Sequence, residues 1–347
     1  MPVCGACLTR CSAFGKWCSG CPGCNKLLKE CSQRLCRPCA YTCPDHPNAR
    51  VFVNFYLGST LDLCPVPASG GAACPPGLPE HIPLVATRLH EPPPPGLLPW
   101  AAVHAAKVPL KVWREGGVKE YYNLPRETKL MLSFYAPDGA LEKFWHRRGE
   151  RYEALKREFD AVFAPNFSVY EDSPRIEHLI QMRRSNLVAA EMARQGIAVV
   201  PDTGWYNRED LDRWADFVKE SAPRAVGFSF QTVGKRHKGK AEAWKSYLAG
   251  LRYFHHRLPG DTRIIVVGVN SVKRMRGVLR VVGERPVSFL DTTSFYTARK
   301  GGVLTLNYQE PAAPLGISRD AAFFESVKVF RQRIAAAKSS AKEGVLV

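Results

Sequence analysis

Two sets of side chains in this sequence have the types and spacing to do chemistry. The first is Asp291 in the run VSFLDTTSFYTARKGG, Val287 to Gly302. A short apolar strand, Val287 to Leu290, leads straight into this carboxylate, and small hydroxyls, aromatics, Arg299 and Lys300 follow. The C-terminal ends of barrel strands are where parallel β/α barrels hold their reacting groups, so Asp291 is a candidate catalytic carboxylate. The competing reading is that it caps a turn. The second set is ten cysteines within the first 43 residues: Cys4, Cys7, Cys11, Cys18, Cys21, Cys24, Cys31, Cys36, Cys39 and Cys43. Pairs with two residues between them have the spacing of metal ligands. Ten thiolates can fill two four-ligand sites with two to spare. Paired Cys-x2-Cys turns suit zinc. The run from Cys36 to Cys43, followed by Pro44, ends like an iron–sulfur ferredoxin motif, which keeps an iron–sulfur cluster as the alternative.

These groups need elements to hold them. Residues 1–50 carry few large apolar side chains and cannot form a conventional core, so they read as a Cys-rich metal-binding module. Residues 51–128 read as a Pro/Gly-rich connection, with stiff Pro92 to Pro95, running into an indistinct first part of a barrel. From Lys129 the pattern is regular. Strands are expected at Lys129–Phe134, Ala161–Ala164, Ile197–Pro201, Ala225–Phe230, Arg263–Val269 and Val287–Leu290. Helices are expected at Leu141–Phe159, Ile176–Gln195, after Asn207, at Lys240–Arg257, from Ser271 to near Gly283, and from Ala321 to Lys338. Apolar strands alternating with helices mean parallel units with both sheet faces covered. No Gly-x-Gly-x-x-Gly and no Gly-Lys-Ser/Thr phosphate loop follows a strand. The expected fold is therefore an α/β, TIM-like (β/α) barrel over residues 129–347, with the N-terminal Cys-rich module attached.

The net charge of +17 over 347 residues calls for a polyanionic partner, and nucleic acid is the leading candidate. No apolar run reaches eighteen residues and no basic amphipathic helix has a long apolar face, so no membrane partner is expected. The N-terminus lacks a basic segment followed by an apolar one, which points to a cytoplasmic protein with reduced thiols.

Several stretches then line up in order. SPRIEHLIQMRRS (Ser173 to Ser185), VVPDTGWYNREDL with Gly204, AVGFSF with Phe228, IIVVGVNSVKRMRGVL and FLDTTSFYTARKGG together span Ala161 to Leu306 as a block. This block resembles the tRNA-guanine transglycosylase superfamily, including its relatives that insert deazaguanines into DNA. Parts of it also resemble uncharacterised phage and plasmid proteins. The resemblance implies a base-exchange transferase in which Asp291 attacks C1′ of the sugar and forms a covalent glycosyl-aspartate. It implies a free modified base as co-substrate. No cysteine follows Cys74, so the family's zinc site after the nucleophile strand has no counterpart, and DNA is favoured over tRNA as substrate.

On that scheme Asp202, ending the Ile197 strand, protonates the departing base. Asn166, near the position of the family's base-reading Asp, offers one donor and one acceptor. Gly204 cradles the base, and Phe228 and Tyr296 stack on it. Lys235, Arg236, Lys238 and Lys240, on the loop after the Ala225 strand, join Arg299 and Lys300 in holding the phosphate backbone. Two other readings stand beside this one: a non-catalytic nucleic-acid-binding protein on the same barrel, and an iron–sulfur radical enzyme.

Overall fold

The computed structural model describes residues 56–65, 77–169, 175–231, 240–306 and 316–342. The Cys-rich segment, with Cys4, Cys7, Cys11, Cys18, Cys21, Cys24, Cys31, Cys36, Cys39 and Cys43, lies outside them. So do Lys235, Arg236 and Lys238.

Eight parallel strands form one sheet: β1 (His81–Val85), β2 (Trp100–His104), β3 (Lys129–Ser133), β4 (Ala161–Phe163), β5 (Val199–Val200), β6 (Ala225–Ser229), β7 (Arg263–Val267) and β8 (Val287–Asp291). Their order is β5-β4-β3-β2-β1-β8-β7-β6. The two ends of that order nearly meet. Gly227 N donates to Pro201 O at 2.8 Å and Thr203 N donates to Gly227 O at 3.1 Å, so one bridge spans the gap between β5 and β6. The result is a TIM-like α/β sheet nearly closed into a barrel.

The barrel begins earlier than the texture of the sequence suggests. β1 and β2 are joined through the proline-rich stretch, with no helix between them. Two short helices, α1 (Leu110–Glu115) and α2 (Val118–Tyr122), follow β2. The expected helix Leu141–Phe159 is two helices, α3 (Asp138–Arg147) and α4 (Tyr152–Glu158), with a tighter turn at Arg148–Arg151 around Gly149. Glycine weakens a helix interior, and the break lets Tyr152 and Leu155 reach the core.

The remaining helices fall close to expectation: α5 (Arg175–Arg194), α6 (Arg208–Ser221), α7 (Lys240–His255), α8 (Val272–Val282), α9 (Thr293–Arg299) and α10 (Arg319–Lys342). Asn207 and Asp210 make a reciprocal capping box at the start of α6, and Ser271 caps α8. Gly196, at φ +77°, ends α5 in the left-handed conformation that only glycine adopts without strain. Helix α10 closes the β1/β8 flank, where the Phe330 ring stacks on His81 at 4.7 Å.

Helix α5 is unusual in burying polar side chains all round. Arg184 forms a bidentate pair with Glu142 (2.7 and 2.8 Å) and lies 3.9 Å from the Phe167 ring centre. Arg183 donates to the carbonyls of Leu57 and Asp62, and Asn186 pairs with the Cys64 backbone. The segment 56–65 thus lies over α5 and satisfies donors that would otherwise be stranded. Among the described residues no helix is long and apolar enough to cross a membrane.

Candidate active site at the barrel mouth

Side chains alternate between the two faces of a strand, so the register decides which residues look into the barrel. Ile265 pairs with both Gly227 and Ser288, which puts those three on one face. Phe163 and Asp202 share it, because a Cβ built on Gly227 would overlap the Phe163 ring and stand 3.2 Å from Asp202 Oδ1. This is the interior face. Asp291 is three residues from Ser288 and therefore points the other way, into the layer between sheet and helices.

Asp291 therefore stands apart from the interior face. The carboxylate is 1% exposed. Its Oδ1 accepts from the backbone N–H groups of Thr293 (2.8 Å) and Ser294 (3.0 Å), and its Oδ2 accepts from the Ser294 hydroxyl. Oδ2 also lies 3.0 Å from His81 Nε2, whose ring is held by Phe330 of α10. Asp291 is thus the cap of α9 and a buried clasp between β8, β1 and α10. Of the hydroxyls that follow it in sequence, Ser294 bonds the carboxylate, while that of Thr293 accepts from Asn270.

The interior face at the C-terminal strand ends holds a different group. Asp202, just past β5, is 2% exposed. Tyr135, two residues past β3, donates its phenolic hydroxyl to Asp202 Oδ1. The side chains of Asn166, after β4, and Ser229, ending β6, also reach that hydroxyl. Burial pushes the Asp202 carboxyl up to about 7, and the bond from Tyr135 offsets only part of that rise. Burial, and then the charge of Asp202, raises the Tyr135 phenol well above its ordinary value, so it remains a neutral donor at neutral pH.

His104, ending β2, lies on the same interior face, since it pairs with Ser133, which pairs with Phe163. Its Nδ1 accepts from Ala106 N at 3.2 Å, which leaves the Nε2 proton as a donor. Burial, with Lys107 nearby, lowers its pKa and keeps the ring neutral. The mouth is therefore polar over the ends of β2 to β6. It is apolar over β7, β8 and β1, where Val267, Leu290 and Leu84 face inward. A carboxyl that is half-protonated near neutral pH, beside a neutral phenol, can give and take a proton at a bound substrate.

Gly227 makes this arrangement possible. A side chain there would strike the Phe163 ring and crowd Asp202. Gly227→Ala is expected to cost about 1–3 kcal/mol, as overpacking of a filled core does. Chemical denaturation of the purified variant checks it.

Two of the residues singled out from sequence, Asp202 and Asn166, come together here through Tyr135; Phe228, Gly204, Tyr296 and Arg299 lie elsewhere. Phe228 is fully buried on the opposite face, against Trp205, Phe230 and Phe254. Gly204 lies in the β5–α6 loop, against Val169 and Met182. Tyr296 is 44% exposed on α9. Arg299 pairs with Asp320 at 3.0 Å and covers the Phe295 ring, while Lys300 is exposed at the end of that helix. Lys240 is the first residue of α7. Tyr135, Ser229 and His104 escaped the sequence reading. Each ends or follows a strand, but β2 was not recognisable and Tyr135 looked like any loop aromatic. Among the described residues no group of three or more His, Cys, Asp or Glu is placed to hold a metal ion.

Comparison with known proteins adds two similarities. Residues 118–276 match the family model described as Domain of unknown function (DUF4417). That span contains Tyr135, Asn166, Asp202 and Ser229 and stops short of Asp291. The chain is also 28% identical over 111 residues to the "Gene 1 protein" of Mycobacterium phage D29, a match that covers 30% of this chain and 41% of that protein.

Proposed function

We propose that the protein exchanges a base on nucleic acid, DNA in preference to tRNA, with Asp202 as the proton-transfer group at the barrel mouth. The observation that carries this reading is the buried Asp202 carboxyl, held by Tyr135 at the C-terminal strand ends with a pKa near the working pH. In the exchange, the C1′–N bond to the resident base breaks as its nitrogen takes the Asp202 proton. The incoming base then forms a new C1′–N bond and returns its own N–H proton to the carboxylate. A group that serves in both directions works best when its two protonation states are comparably populated. Asn166 and Ser229 supply the hydrogen-bonding edge that reads the base, and the +17 charge attracts the phosphate backbone. In this scheme Asp291 supports the fold and takes no part in covalent chemistry.

The test is release or exchange of labelled base from single-stranded and duplex DNA and from tRNA, with Asp202→Asn as the comparison. A second reading, a nucleic-acid-binding barrel without catalysis, is favoured by one observation: the strand-end carboxylate in the nucleophile-like motif is fully engaged as a cap. Binding without base release by the unaltered protein under any supplied base would select it.

The Cys-rich segment completes the proposal as a zinc module that helps to grip the polyanion. Metal analysis of protein purified without added metal is expected to give about two zinc ions per chain by the arithmetic of four thiolates per site. A brown protein with visible absorbance and bound iron would instead select the iron–sulfur alternative.

A further inference from the structure

The loop that carries Tyr135 into the barrel turns its neighbours the other way. Phe134 and Ala136 line a separate cavity of about 380 Å³ on the flank between α1, α3 and the Arg148–Arg151 turn. That volume lies within the range of small-molecule sites, roughly 300–1,000 Å³. Its walls combine two chemistries. Trp113, Phe134 and Phe144 supply aromatic surface, with Phe134 and Phe144 4.4 Å apart. Lys143, Arg147 and Arg151 supply positive charge.

The charge is only partly balanced locally, by Glu150. Arg147 meets Glu150 in an exposed pair at 3.2 Å, and exposed pairs are weak. Arg151 lies 5.2 Å from the centre of the Trp113 ring, and burial together with Arg147 depresses its pKa. Crowded cations beside the half-exposed Trp113 and Phe144 rings suit a ligand that brings its own anion and a flat ring. A stretch of single-stranded nucleic acid has both, in its phosphates and bases.

We infer that this cavity is a subsite for a nucleotide of single-stranded DNA next to the one presented to Tyr135 and Asp202. The inference rests on the proposed action on nucleic acid, and the shared 134–136 loop sets the subsite beside the mouth. The base lies against Trp113 and Phe144. Lys143 and Arg147, exposed at their tips, hold the flanking phosphates.

The experiment measures binding alone, in an Asp202→Asn background, by fluorescence anisotropy of a labelled single-stranded thymidine 12-mer and of an abasic strand of the same length. Lys143→Glu with Arg147→Glu should weaken binding of the thymidine strand about tenfold or more. It should also lower the slope of log K against log salt by about two phosphates' worth. The control Lys219→Glu with Lys328→Glu makes the same change in charge on exposed residues of α6 and α10 and should have a clearly smaller effect. Trp113→Leu should remove most of the preference for the thymidine strand over the abasic one, about tenfold for one stacked base. The inference is overturned if the two charge reversals prove equivalent, or if the preference for bases survives Trp113→Leu. Lys143, Arg147 and Trp113 are all exposed or half-exposed, so loss of fold is not expected, and circular dichroism checks it. Because no turnover is read, failure here leaves the Asp202 assay untouched, and failure of that assay leaves this one readable.

Discussion

Asp202→Asn should slow base exchange by orders of magnitude while raising thermal stability at alkaline pH. The two effects have one cause. In the folded protein the carboxyl loses water and gains only the Tyr135 hydroxyl, which moves its pKa from an ordinary 3.8 to about 7. Between those values the folded state holds a proton that the unfolded state has released. Stability therefore falls as pH rises through this window. It is greatest below about 4 and reaches its lower plateau above about 7. The full linkage is on the order of 4 kcal/mol, and relaxation around the ion reduces what is observed. Asparagine keeps the shape and still accepts the Tyr135 proton, but it cannot ionise. The variant should match the parent near pH 4 and melt several degrees higher at pH 8, with the pH slope removed.

Activity should move the opposite way, falling by about 10²–10⁴-fold, the usual contribution of general acid–base catalysis. In the parent, base release should be level below pH 7 and decline about tenfold per pH unit above it, since the protonated form that gives up the proton is depleted there. Tyr135→Phe removes the bond that lowers the Asp202 pKa, so it should shift this limb to higher pH, whereas a purely structural role for the phenol would leave the limb in place. Calorimetry across pH 4 to 9 with a base-release assay reads all of these outcomes. A carboxyl that gains no stability at pH 8 on conversion to asparagine would sink the assignment.

Asp291→Ala is expected to have the larger structural effect, about 3–5 kcal/mol of lost stability. It would leave two buried N–H groups of α9, the Ser294 hydroxyl and His81 Nε2 without their acceptor, and would open the seam between β8, β1 and α10. Asp291→Asn keeps an oxygen for the two backbone donors and should cost about 1–2 kcal/mol, the scale of one impaired buried hydrogen bond. Base exchange per folded molecule should survive in Asp291→Asn. Denaturant titration fixes the first quantity, and active-site-normalised rates fix the second. A covalent adduct between protein and DNA that disappears with Asp291→Asn, the fold being intact, would restore the nucleophile reading and remove Asp202 from its central place.

Much of the barrel was legible because its signals are local. The runs around Val162, Val226, Ile265 and Phe289 are apolar for the length of a buried strand. Asn207 with Asp210, Ser271 and Gly196 mark helix ends by chemistry that acts within a single turn. β1 and β2 were not legible, since their short segments sit among prolines without a helix between them. The break at Arg148–Arg151 was hidden by charges that keep helical periodicity on both sides of Gly149.

For the site, local sequence determined that two acids, Asp202 and Asp291, each stand at the end of a strand. The two positions look alike along the chain. Which one faces the barrel interior depends on strand register and on the neighbours each strand acquires, contacts that join Gly227 to Asp202 and Asp291 to His81 across 25 and 210 residues of chain. A shift of one residue inverts a side chain between faces, so no local pattern can tell which carboxyl faces inward. Tertiary structure alone decided that, by setting Gly227 and Phe163 beside one carboxyl and His81 and α10 beside the other.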